Sequence, residues 1–178
     1  MCLLSNEERQ RLSPMGAEGR LRFLAGRVLM RSELGRRLSL SPSRVPLSQT
    51  RWGKPFLIGD SGPLFFNLAH SGEHLLFASS SRSPVGVDVE TTGRSPQSVI
   101  DRFNAHERSS LALLPERARP SAFQRLWAAK EACMKCRGRG SISSIPVTLD
   151  HEGRWQDVEW HRVEPSPDFL GVVAVKVG

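Results

Sequence analysis

Val85-Gly86-Val87-Asp88-Val89-Glu90 follows a break at Ser81-Arg82-Ser83-Pro84 and reads as a short strand. Strand side chains alternate between faces, so Val87 and Val89 point one way and Asp88 and Glu90 the other. Two carboxylates on one face repel each other unless something positive stands between them. A hard divalent cation meets that need, because magnesium takes oxygen ligands and keeps waters and substrate phosphates. A half-exposed strand with a polar face has the same alternation.

Outward from this segment, both halves of the chain run helix first and strands later. Glu18 to Leu38 has the helical spacing, with Leu21, Leu24, Val28, Leu34 and Leu38 near one face. Ser41 to Gln49 is a Pro/Ser-rich loop. Pro63 to His70 and His74 to Ser80 are apolar runs of strand length joined through Ser71-Gly72. Beyond Glu90, Ser95 to Phe103, His106 to Leu114 and Pro120 to Arg137 read as helices. Ile145 to Leu149, Trp155 to Val163 and Phe169 to Val177 read as strands, with a turn at Asp150-His-Glu-Gly153. The order predicts an α+β fold of two similar modules, residues 1–84 and 85–178.

The chain has 178 residues, enough for one domain or two small fused modules. Its longest apolar runs, such as Leu170 to Val175, are too short to span a bilayer. The opening MCLLSNEERQ has no basic region followed by an apolar core, which predicts a cytoplasmic protein that does not engage membranes. Cys133 and Cys136 form a lone C-x-x-C inside a helical pattern. A structural zinc site needs four ligands, so these read as two helix cysteines in a reducing compartment. The net charge of +7 attracts polyanions. Nucleic acid is not the expected one: no zinc pattern, no interleaving of aromatic and basic residues and no Tyr occur.

Lysine occurs only at Lys54, Lys130, Lys135 and Lys176. In Trp127-Ala-Ala-Lys-Glu-Ala-Cys-Met-Lys135, the residues Trp127, Glu131 and Lys135 are spaced i, i+4, i+8 and share a helix face. Glu131 can supply another oxygen ligand, and Lys135 can neutralise a phosphate on the same metal. The plainer reading is a surface Glu–Lys pair worth about 0.3–0.5 kcal/mol. Gly53-Lys54-Pro55 joins close backbone approach, a compact cation and a stiff turn, or is simply a turn with an exposed lysine. Phe66-Asn-Leu-Ala-His70-Ser71 ends a strand in polar groups. Glu107, three residues after Asn104, fits a capping box.

Taken in order, GKP (53–55), FNLAHS (66–71), GVDVE (86–90), RFNAHE (102–107) and WAAKEACMK (127–135) resemble the motifs of the Sfp-type 4′-phosphopantetheinyl transferases. The N-terminal Arg22-Phe-Leu-Ala-Gly-Arg27 also resembles the family's first long helix. The resemblance covers nearly the whole chain. It implies an α+β fold of two similar modules forming an intramolecular pseudo-dimer, with coenzyme A in the cleft between them, and hence a monomer. It implies transfer of the 4′-phosphopantetheine arm to a serine of an acyl or peptidyl carrier protein, in fatty-acid or secondary metabolism. Asp88, Glu90 and Glu131 would ligate magnesium. Lys54 and Lys135, beside Pro55, would contact the pyrophosphate. His70, Arg22 and Arg11 would hold the 3′-phosphate. Glu107 would match the carboxylate proposed as general base.

Such carriers are generally acidic, and a basic enzyme would meet them faster. Three departures stand out. Ala69 replaces the family's usual serine, Asn104 stands where a second Phe is usual, and the stretch to Glu107 is one residue short. Family members also carry a strand ahead of Leu4 to Leu12, so the first module is expected to be shortened. Alternatives to the transferase are a degenerate homologue that binds coenzyme A or a carrier without turnover, and a magnesium phosphohydrolase.

Overall fold

The computed structural model of the protein describes residues 3–50, 53–59, 62–91, 97–138, 141–166 and 169–178. The backbone divides into two compact units, Met1–Gly62 and Pro63–Gly178. The architecture is α+β, as the order of elements predicts. Among the described residues, no helix is long and apolar enough to cross a membrane.

The first unit holds helices α1 (Asn6–Leu12) and α2 (Ala17–Leu38) and a two-stranded antiparallel sheet, β1 (Leu47–Gln49) with β2 (Pro55–Leu57). Ser5 and Glu8 form a capping box that starts α1. Glu8 then has a second task. Its oxygens, 4% exposed as a residue, meet Arg31 at 2.9 Å and Arg27 at 3.4 Å on α2. Arg31 also donates to the carbonyls of Pro42 and Val45, tying the turn after α2 to the helix. The α2 face read from the sequence differs from the observed one. Leu34 is buried, whereas Leu21, Leu24 and Val28 are exposed.

The second unit begins with the hairpin β3 (Phe65–Ser71) and β4 (His74–Ser80). An antiparallel four-stranded sheet follows in the order β5 (Val85–Thr91), β8 (Phe169–Lys176), β7 (Val158–Ser166), β6 (Glu152–Trp155). Helices α3 (Ala105–Ala112) and α4 (Arg119–Arg137) complete it. The division at Gly62–Pro63 falls ahead of the break read at Pro84. The reason is how the hairpin attaches. β5 is an edge strand, and its outward N–H groups at Val87 and Thr91 are met by the Asn67 side chain at 2.9 Å and the Ser71 hydroxyl at 3.1 Å. Asn67, Ala69 and Ser71 alternate along β3 and are all buried, while His70 between them is exposed. Ala69 packs with Val87 and Val89, so the position that departs from the family pattern lies in an apolar contact.

Two strand expectations are corrected. Ile145 to Leu149 is irregular, because its backbone groups are taken by side chains. Lys130 donates to the Ile145 carbonyl, Val147 donates its N–H to Glu107, and Pro146 has no N–H to offer a ladder. Trp155 to Val163 is not one strand. The chain turns at Gln156, whose φ is 54°, so that Trp155 pairs with Val158, and Glu152 and Gly153 belong to β6 rather than to a turn. The helix expected over Ser95 to Phe103 is a 3₁₀ segment, Gln97–Arg102; its first two expected residues lie outside the described ones, as does Cys2.

α4 lies on β5, and Gly86 sets the approach. A Cβ there would stand 2.2 Å from the Ala132 carbonyl oxygen and 2.3 Å from the Cys136 nitrogen. Both atoms are α4 backbone, so the helix itself would have to move. We expect Gly86→Ala to destabilise the fold by about 1–3 kcal/mol through overpacking, measured by urea unfolding. A variant as stable as the parent would mean that α4 does not bear on β5 here.

Candidate active site

Asp88 sits in the middle of β5 with its side chain on the α4 side, while Val87 and Val89 face the hairpin core. It is 4% exposed. α4 starts with Pro120 in its first turn and ends at Gly138, whose left-handed backbone returns an N–H to the Met134 carbonyl. Within that helix Glu131 and Lys135 are one turn apart. The Lys135 ammonium lies 2.5 Å from Asp88 Oδ1 and 3.0 Å from Glu131 Oε2. One cation therefore bridges two carboxylates from two elements. Glu90 lies on the same face of β5 as Asp88 and is half-buried.

The charge is not balanced. Two carboxylates share one ammonium, and Asp88 Oδ2 is buried with no hydrogen-bond partner among the described residues. The Asp88 carboxyl is raised to about 7, first by burial and further by Glu131 and Glu90, against the pull of Lys135. Burial works against the Lys135 ammonium, but Asp88 and Glu131 outweigh it and hold Lys135 above its ordinary value. Among the described residues, no three His, Cys, Asp or Glu side chains form a ready-made metal cage. Magnesium does not require one, since one or two carboxylates plus waters and phosphates suffice. An orphaned buried carboxylate oxygen beside a second carboxylate fits a hard cation.

The other expected residues lie on other elements. Arg11, Arg22, Lys54 and Pro55 belong to the Met1–Gly62 unit. Arg22 pairs with Glu18 one turn back on α2. Lys54 is exposed, and its backbone closes a turn with Thr50. His70 is exposed on β3.

Glu107 is held in the core of the second unit. It is 1% exposed and completes the expected capping box with Asn104. Its Oε2 accepts from Asn104 N at 2.8 Å. Its Oε1 accepts from Val147 N at 3.0 Å and meets Lys130 Nζ at 2.9 Å. Both of its oxygens are engaged within the chain, so in this geometry neither is open to an incoming hydroxyl.

Lys130, assigned no role from the sequence, has a fully buried side chain. A signal was available, because Phe123, Leu126, Lys130 and Cys133 are spaced 3, 4 and 3 apart on one helix face and all are buried. The two helix cysteines are buried thiols outside any disulfide, Cys136 Sγ donating to the Pro84 carbonyl at 3.3 Å, and burial, with Cys136 adding, pushes the Cys133 thiol up to about 12.

Fold and site together define an α+β protein with a carboxylate–lysine centre suited to a metal-bound phosphate. The sequence places it within a family. Residues 84–170 match the model of the 4′-phosphopantetheinyl transferase superfamily, and residues 1–82 match that of the 4′-phosphopantetheinyl transferase N-terminal region. A 4′-phosphopantetheinyl transferase, HetI, from Nostoc sp. is 34% identical over 171 residues, covering 90% of this chain and 72% of that protein. The 4′-phosphopantetheinyl transferase Sfp of Bacillus subtilis is 32% identical over 159 residues, covering 86% and 70%. An L-aminoadipate-semialdehyde dehydrogenase-phosphopantetheinyl transferase of Xenopus laevis is 34% identical over 166 residues, covering 81% and 55%. The chain belongs to the 4′-phosphopantetheinyl transferase superfamily.

The Asp88–Lys135 pair gives stability a pH signature. The folded value of Asp88 lies above its unfolded one, so its protonation favours the folded state. That contribution is complete below about 4 and is lost as pH rises through about 7. Without Lys135, the carboxylate that forms above this window is buried without its cation. We expect Lys135→Met to cost about 1–3 kcal/mol at pH 8.5, and under half of that at pH 5, by urea unfolding. A cost independent of pH would contradict the pairing.

Proposed function

We infer that this protein transfers the 4′-phosphopantetheine group of coenzyme A to a serine of an apo carrier protein and releases 3′,5′-ADP. The observation that carries this reading is the Lys135 ammonium shared by Asp88 and Glu131, in a chain matched over both halves by transferase family models. The serine oxygen forms a bond to the phosphorus that bears the pantetheine arm. The pyrophosphate P–O bond breaks, 3′,5′-ADP leaves with the electron pair, and the serine proton passes to water.

Asp88 and Glu131, with Glu90 on the same face, are the residues that would hold magnesium. Bound there, magnesium would neutralise charge on the phosphoryl oxygens. Lys135 aims a compact cation at the same place, where it holds a phosphate and stabilises charge as it develops. Lys54, Arg11, Arg22 and His70 are assigned to the coenzyme A phosphates by the family motifs alone.

The carrier is an acidic protein on this reading. Residues 1–62 contain 11 Lys and Arg against 5 Asp and Glu, which is +6 of the net +7. Such a surface steers an acidic partner and makes association fall with salt. The reaction belongs to the cytoplasm, where coenzyme A and apo carriers meet.

Incubation of apo carrier proteins with the enzyme, coenzyme A and magnesium should add about 340 Da to one of them, as a metal-assisted transfer of the arm requires, and EDTA should abolish the gain. We expect Glu131→Ala to lower this transfer by at least about a hundredfold, with the unfolding midpoint little changed because alanine suits the helix. Unchanged turnover at saturating magnesium would remove Glu131 from the site.

Metal binding requires the ionised carboxylate. With Asp88 near 7, we expect the magnesium concentration for half-maximal transfer to rise by about tenfold between pH 8 and pH 6. A flat dependence over that range would exclude Asp88 as a ligand.

A further inference from the structure

Glu107 and Lys130 form an ion pair inside the core of the second unit, at 2.9 Å and with both side chains 0% exposed. Burying an ion pair is costly unless the remaining donors and acceptors are satisfied. Here the partners are drawn from two separate pieces of chain, residues 103–104 and 142–147. Lys130 donates to the Ile145 carbonyl at 2.5 Å and reaches the Ile142 carbonyl at 3.4 Å. Its ammonium also lies 5.7 Å from the Phe103 ring centre. Glu107 takes the N–H groups of Asn104 and Val147. The pair therefore ties α4 to the start of α3 on one side and to the 142–147 segment on the other.

Lys130 directly precedes Glu131 in α4, and Lys135 follows one turn later. The rotation and height of α4 decide whether these two meet Asp88. The Gly86 contact limits how close the helix comes to β5. It does not fix the helix's rotation about its own axis. Lys130, which points about 100° around the helix from Glu131, does.

On the transferase reading above, we propose that Glu107 and Lys130 are a positioning pair. They orient α4 so that Glu131 and Lys135 converge on Asp88, and Glu107 takes no part in moving the serine proton. A general base at this position would need an oxygen open to the carrier serine. The geometry instead gives Glu107 three donors from its own chain.

The test compares Lys130→Met, Glu107→Gln and the double variant in the full-length protein. Manganese binding is read by electron paramagnetic resonance, and kcat and KM by carrier modification, all well below the melting temperature. Lys130→Met leaves a buried carboxylate without its cation. It should melt about 10 °C lower and bind manganese about tenfold more weakly, as loss of a supporting contact does. The double variant removes both charges, with Met filling the lysine stem and Gln keeping an acceptor for Asn104. It should recover manganese affinity to within about threefold of the parent and keep kcat within about tenfold.

A double variant that folds and binds manganese like the parent but loses more than about a hundredfold in kcat at unchanged KM would make Glu107 a catalytic residue and overturn the proposal. So would Lys130→Met with lowered melting but parental manganese affinity and kcat/KM, because the pair would then be structural only. If the double variant does not fold, Glu107→Gln carries the same kcat comparison. A parent that binds manganese but modifies no carrier would defeat the transferase reading instead, leaving the manganese comparison to judge the pair. A parent that binds no manganese would defeat the metal assignment, leaving kcat/KM to judge it.

Discussion

A carboxylate buried to 4% exposure is a charge that the structure must answer, and Asp88 is that charge. Left alone in this setting, it would be protonated at neutral pH. The answer comes from α4, which brings Lys135 to Asp88 Oδ1 and Glu131 to the other side of the same ammonium. Glu131 adds a second negative charge, and Asp88 Oδ2 has no hydrogen-bond partner among the described residues. A site with this surplus of negative oxygen is a receptor for further positive charge. On the proposed function, that electrostatic demand would link the fold to metal-assisted phosphoryl chemistry.

The rest of the second unit supplies the rigidity the demand requires. Gly86 lets α4 lie directly on β5, so that side chains of ordinary length reach across. Asn67 and Ser71 close the open edge of β5 from the hairpin, which keeps the strand straight and its N–H groups satisfied. Phe66-Asn-Leu-Ala-His-Ser71 thus works chiefly through its inward positions. The first unit solves a related problem differently. Glu8 answers two buried arginines, Arg27 and Arg31.

The elements that were legible in the sequence are those whose pattern is local. The alternation in Val85 to Glu90, the i,i+4 spacing of Glu131 and Lys135 and the Asn104–Glu107 capping box each depend on residues within a turn or a strand. What was not legible depends on contacts between distant residues. Glu107 and Lys130 are 23 positions apart, and charged residues are ordinarily read as solvated because they are seldom buried unless paired. Ile145 to Leu149 has strand composition, but Lys130 and Glu107 claim its backbone groups. The hairpin at Phe65–Ser80 joins the second unit through the Asn67 and Ser71 side chains and the packing of Ala69 on Val87 and Val89, which no composition change near Pro84 reveals.

The account centres on a cation held between β5 and α4. The most direct measurement is the anomalous diffraction of crystals grown with manganese and coenzyme A. A manganese peak within ligand distance of Asp88 and Glu131, with Lys135 turned from the carboxylates toward a phosphate, is the result predicted. Coenzyme A bound with no manganese at these carboxylates, and Lys135 still bridging Asp88 and Glu131, would contradict it.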